Sequence, residues 1–154
     1  MKIYLAADHA GFNLKEKIKS YLKGAGYAVE DQGAFTLDPA DDYPDFVAPV
    51  AKQVAADPEV ARGIILGGSG QGEAMAANRV KGVRAAVYYG GREEIITLSR
   101  EHNNANVLSL AARFLGEEEA LNAIKLWLGT AYTGDERHDR RLGKLDSGGV
   151  VKPF

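Results

Sequence analysis

Cysteine is missing from all 154 residues, which excludes disulfides, thiolate nucleophiles and cysteine-ligated metals. Long apolar runs are missing too, since none approaches the roughly 18–20 residues of a membrane span. Neither sign of charge dominates: the formal net charge is −2 and the pI is near 5.9. No global field therefore draws the chain to nucleic acid or to an anionic membrane. Histidine is scarce, and the three present are too scattered to form a metal-ligand pattern. Met1-Lys2-Ile3-Tyr4-Leu5 runs straight into Asp8 and His9, which is not the pattern of a secretory leader. A cytoplasmic location is the expectation these absences fit. At this length one domain can bury a real core.

What is present alternates between two patterns. Short apolar runs suited to buried strands are Ile3–Ala7, Ala28–Asp31, Arg62–Leu66, Arg84–Tyr89 and Asn106–Leu110. Helical patterns lie near Gly11–Lys23, Pro44–Ala56, Gln71–Val80, Glu93–Glu101 and Glu117–Leu128, and a last charged helix is expected over Glu136–Leu145. In the first helix Leu14, Ile18 and Leu22 recur at i, i+4, i+8, while Lys15, Glu16, Lys17 and Lys19 supply a wet face. Strict strand–helix alternation predicts an α/β fold of three αβα layers. Its five-stranded parallel sheet would be doubly wound in a Rossmann-like, flavodoxin-like order 2-1-3-4-5. The domain would span residues 1–146, with Thr36–Asp42 a polar loop and residues 147–154 a tail.

The most informative segment is Gly67-Gly68-Ser69-Gly70-Gln71-Gly72-Glu73. It follows the apolar run Gly63–Leu66 and leads into helix-forming residues. A strand, a glycine loop and a helix start in that order form an anion cradle, because backbone amides and the helix dipole favour negative charge there. Glu73 closes it with a built-in base. The same glycines could serve tight packing alone, and an acidic residue in a first helical turn is stabilised by the dipole in any case. The spacing is that of neither a P-loop nor a dinucleotide fingerprint. In open α/β sheets, ligands sit beyond the carboxyl ends of the strands where the winding reverses, here between strands one and three. Asp8-His9-Ala10-Gly11 and Gly67–Glu73 both follow those strands, so two polar loops converge on one crevice.

Six motifs in order carry a resemblance. They are Asp8-His9-Ala10-Gly11, Asp42-Tyr43-Pro44-Asp45, Gly68–Glu73, Ala76-Ala77-Asn78-Arg79, Arg100-Glu101-His102-Asn103-Asn104-Ala105-Asn106 and Arg137-His138-Asp139-Arg140-Arg141. Together they resemble type B ribose-5-phosphate isomerase, in the wider family that includes galactose-6-phosphate and allose-6-phosphate isomerases. The resemblance implies metal-free, cofactor-free interconversion of an aldose phosphate and a ketose phosphate through an enediolate, as in the pentose phosphate pathway. One base must move the carbon proton, another acid/base must open the sugar ring, and the developing oxyanion needs preorganised donors. In one branch of the family a cysteine does the carbon chemistry just before the Gly-x-Gly segment, where this chain has Gly67. The other branch places a glutamate where Glu73 stands.

On that resemblance Glu73 is the base, while Ser69 and the amides of Gly70 and Gly72, beside Gly68, hold the enediolate. Ser69 could also serve only to stabilise the turn. Asp8 would meet the substrate or cap the first helix, and His9 would bind a sugar hydroxyl or the phosphate edge. His102 is the implied ring-opening residue with Asn103 on the sugar; read without the family, it is a solvated loop histidine. Arg137 and Arg141 are one helical turn apart, with His138 alongside and Arg113 supplied from after strand five, so all could face one phosphate. Alternatives within the chemistry are a six-carbon or four-carbon sugar phosphate. A non-catalytic sugar-phosphate sensor is the alternative outside it. His102 falls before strand five, at the end of the sheet opposite Glu73, so a shared active site in a homodimer is expected; the resemblance also implies a dimer, sometimes paired into a tetramer.

Overall fold

The computed structural model describes residues 1–147. Beyond Ser147 the expected tail lies outside the described residues. The elements are β1 (Lys2–Ala7), α1 (Phe12–Gly24), β2 (Ala28–Asp31), α2 (Tyr43–Ala56), β3 (Ala61–Gly67) and α3 (Gln71–Ala77). They continue with β4 (Ala85–Tyr88), α4 (Glu94–Glu101), β5 (Val107–Ala111), α5 (Glu117–Gly129) and α6 (Glu136–Asp146). All sheet pairings are parallel.

Alternation along the strands builds two cores, because successive side chains point to opposite faces. Ile3, Leu5, Ile64, Leu66, Leu108 and Leu110 pack with Ile18, Leu22, Ile96, Ile124 and Trp127 under α1, α4 and α5. Tyr4, Ala6, Ile65 and Val107 pack with Val47, Val50, Val54 and Ala77 under α2 and α3. The result is the expected three-layer αβα architecture.

The strand order is β2-β1-β3-β5-β4, which corrects the expected 2-1-3-4-5. Every residue of β5 is buried, and it pairs with β3 on one side and β4 on the other. By contrast, β4 is four residues long and mostly half-buried, as suits an edge. The chain skips one position from β3 to β4 and steps back to β5. That reversal puts α4 on the α1 and α5 face, since right-handed crossovers change face when the winding changes direction. The expected crevice survives, because β1 and β3 are neighbours.

The third helix is shorter than its sequence pattern suggests. Asn78 ends it by bonding both the N–H and the carbonyl of Ala85, which turns the chain into β4.

Candidate functional site

At the carboxyl end of the sheet, the loops after β1 and β3 lie against each other. Gly11 permits this closeness, since a Cβ there would fall 2.6 Å from the Leu66 Cβ. Buried Asp8 accepts the amides of Ala10 and Gly11 at 2.9 and 3.2 Å. Its side chain thus shapes the entry to α1, although the residue that flanks the helix is Gly11. After β3 the chain turns through Gly70 at φ +73°, a conformation open to glycine. The Ser109 hydroxyl donates to the Gly70 carbonyl at 2.6 Å and ties that turn to β5. Ser69 itself is exposed and its Oγ accepts from the Gln71 amide at 3.4 Å.

Glu73 lies in the first turn of α3 and is buried. Its carboxylate fills the space a side chain at position 67 would occupy: a Cβ on Gly67 would sit 1.6 Å from Glu73 Oε1. The dipole and the backbone amide hold such a carboxyl down, whereas burial and a neighbouring anion push it up. Burial dominates. The Glu73 pKa is raised chiefly by desolvation, with Asp8 adding to the rise and a backbone amide opposing it. A carboxylate in this state is a stronger base than one in water.

A cavity of about 550 Å³ is lined by Asp8, His9, Tyr43, Gly68, Ser69, Gly72, Glu73 and Arg113. Among the described residues the exposed Arg113 guanidinium has no hydrogen-bonded or ionic partner, so a cation stands ready beside the cradle. His9 Nδ1 is 2.6 Å from Asp41 Oδ1. That hydrogen bond raises the His9 pKa, Asp8 adds to the rise, and burial and Arg113 oppose it. Donor atoms of Asp8, His9 and Asp41 lie within 4.8 Å of one another. The hydrogen bond and the two amides on Asp8 account for that spacing.

A second cluster forms at the amino end. His102 ends α4, and its ring stacks on that of His138 with centroids 4.3 Å apart and planes 16° from parallel. His138 is buried, a departure from the open face expected for it beside Arg137 and Arg141. Burial lowers its pKa, helped by His102, Arg137 and Arg141. These influences disfavour the charged ring, Asp135 opposes them, and His138 Nε2 accepts from Arg137 Nε at 3.3 Å. Asp135 Oδ2 lies 3.7 Å from the same nitrogen. Arg137 and Arg141 are exposed. Buried Arg100 props the turn by donating to Asn104, Ala105 and Thr130, and its pKa is lowered to about 10 by burial. Exposed Asn103 lines a larger groove of about 660 Å³ along the start of β4 and the end of α6.

The sequence-selected residues thus fall into two groups. Asp8, His9, Gly68, Ser69, Gly70, Gly72, Glu73 and Arg113 come together at one end, and His102, Asn103, Arg137, His138 and Arg141 gather at the other. Within one chain Arg113 does not join the α6 arginines. Sequence reasoning passed over Tyr43, whose phenol packs on Gly72, and Asp41. Tyr43 sits in a motif already singled out; Asp41 is one of several acidic residues in a polar loop, with no signal to separate it.

The chain belongs to the Ribose/Galactose Isomerase family, whose sequence profile matches residues 3–145, and it is thus an α/β isomerase. It is similar to ribose-5-phosphate isomerase B of Mycolicibacterium paratuberculosis, 42% identical over 145 residues that cover 94% of this chain and 89% of the relative. The crystal structure of ribose-5-phosphate isomerase B from Mycoplasma genitalium with bound ribulose-5-phosphate superposes with a TM-score of 0.91 at 39% identity. It covers 96% of this chain and 95% of that one. The enzyme of the same name from Clostridium thermocellum gives 0.88 at 41% identity, covering 96% of each chain.

Proposed function

We propose that this protein interconverts ribose 5-phosphate and ribulose 5-phosphate. The observation that carries the reading is the Glu73 carboxylate, buried in a glycine cradle at the winding reversal beside an arginine that has no partner among the described residues. Full-length similarity to ribose-5-phosphate isomerases B supports the choice of substrate.

The ring form of the sugar opens first, with His102 moving a proton between hydroxyl and ring oxygen. Glu73 then takes the proton from the carbon next to the aldehyde. Negative charge passes to the carbonyl oxygen, where Ser69 and the amides of Gly70 and Gly72 stabilise it as an enediolate. Glu73 returns the proton to the former aldehyde carbon, a hydroxyl proton shifts between the oxygens, and the ketose results. Asp8 and Asn103 hold hydroxyls. Arg113, Arg137, Arg141 and His9 supply the charge for the phosphate, whose remote binding energy positions the reacting carbons. His138 keeps Arg137 and His102 in place.

This assignment needs both ends of the sheet, which a five-residue strand separates by about 17 Å. A neighbouring chain would bring its His102 cluster to the Glu73 pocket, with a symmetric dimer as the smallest active unit. Exposed Met75 on α3 and Ile95 and Leu98 on α4 flank the β4 edge and support an apolar interface there. No described helix is long and apolar enough to cross a membrane.

The test is turnover across ribose, allose, galactose and erythrose phosphates by wild type and Glu73→Gln. Wild type should prefer ribose 5-phosphate, and Glu73→Gln should lose at least roughly 10²-fold in kcat with KM nearly intact. Preference for another of these sugars would replace the substrate, and a fully active Glu73→Gln would remove the base.

A further inference from the structure

Three aspartates stand in the loop between β2 and α2, and only Asp41 turns its side chain inward. Asp38 and Asp42 are exposed, whereas the Asp41 side chain is 7% exposed. The loop is tied to β1 at its start and braced internally at Asp38. Ala7 and the Gly33–Ala34 segment exchange backbone bonds at 2.8 and 2.7 Å, and Asp38 accepts the amides of Ala40 and Asp41. Asp41 Oδ1 receives the backbone amide of His9 at 3.1 Å and faces His9 Nδ1 at 2.6 Å. Its Oδ2 is buried with no partner among the described residues. Among the described residues both partners of this carboxylate therefore belong to one residue that lines the Glu73 cavity.

The geometry has a chemical consequence. An acceptor at Nδ1 requires that nitrogen to carry the proton. Nε2 is then the ring nitrogen left for a ligand. A buried carboxylate with an unpartnered oxygen is costly unless a positive charge accompanies it, which favours the imidazolium form with Nε2 also a donor.

We propose that Asp41 is the positioning residue of this pocket, fixing the His9 ring and keeping it a cationic donor, through Nε2, to the phosphate oxygens of the substrate. The role rests on the isomerase reading; the pairing itself does not. The groups facing His9 are Asp8 from the loop after β1, Asp41 from the loop before α2, and Arg113 from after β5, with Glu73 and Tyr43 in the same cavity.

Asp41→Asn keeps the acceptor and the shape and removes the charge. Titration of the His9 imidazole by NMR in the ligand-free enzyme should show its pKa fall by about one unit or more, while Asp41→Glu should keep it near the wild-type value. In turnover, KM for ribose 5-phosphate in Asp41→Asn should rise about five- to tenfold at pH 8, the loss of one charge-assisted contact. That ratio should close toward one as the pH is lowered and His9 becomes charged in both proteins, and kcat should change less than about twofold. An unchanged His9 pKa in Asp41→Asn overturns the proposal. A KM ratio that does not vary with pH also overturns it, because that is the signature of a displaced loop. The expected pKa shift in a wild-type enzyme that does not turn over ribose 5-phosphate would instead overturn the isomerase reading and leave the pairing standing. If Asp41→Asn does not fold, Asp41→Ser is the uncharged comparison, judged by the same titration.

Discussion

Glu73 and Gly67 share one volume, and that fact explains both residues. The carboxylate can lie beside the strand end only because position 67 has no side chain. A cysteine at that position, which the resemblance implies for one family branch, would reach out from the strand; here the carboxylate proposed as the base reaches back from the helix. Gly67→Ala should therefore expel the carboxylate and cost kcat about as much as Glu73→Gln, roughly 10²-fold or more. An active Gly67→Ala enzyme would mean that the carboxylate works from another position.

The raised pKa of Glu73 has a defined sign in the kinetics. As the proposed base, Glu73 acts when ionised, so kcat/KM of the free enzyme should fall as pH drops through its pKa. That acid limb should lie above the 4.5 of an ordinary glutamate and should disappear from the residual activity of Glu73→Gln. Which influence prevails was not legible in the sequence, which shows the helix start but not the burial. The placement of the glycine turn, of Glu73 at its end and of Arg113 beside it could be read from residue types and order. Asp41 and the inward turn of His138 could not, because each depends on what a loop or a helix packs against.

At the scale of elements, local periodicity was a good guide. Ala28–Asp31 is a strand over the residues expected, and the other elements lie close to their apolar patterns. The order of the last two strands was not legible, since Ala85–Tyr88 and Val107–Ala111 both read as short apolar runs. What separates them is the burial of all of β5 and the shortness of β4, both consequences of the assembled sheet. On α6 the one-turn spacing of Arg137 and Arg141 makes a specific expectation. Arg137→Ala and Arg141→Ala should each raise KM for the sugar phosphate about ten- to hundredfold. Arg140 lies off that face and its replacement should change KM much less. Steady-state kinetics of the three variants decides it, and equal damage from Arg140→Ala would refute the helical-face assignment.

At the scale of the whole molecule, the residues proposed for one reaction stand at two ends of a single sheet. Glu73 follows β3 and His102 precedes β5, while β3 and β5 run parallel as neighbours. The direction of the strands alone implies this separation, which is why a shared site could be expected from the sequence. The most direct measurement mixes two inactive variants, Glu73→Gln and His102→Asn, under conditions that allow subunit exchange. Each mixed dimer would hold one site with both residues intact, so random pairing should restore up to about one quarter of wild-type activity. No recovery despite proven exchange would contradict the account, placing Glu73 and His102 in one site of one chain or removing one of them from the chemistry.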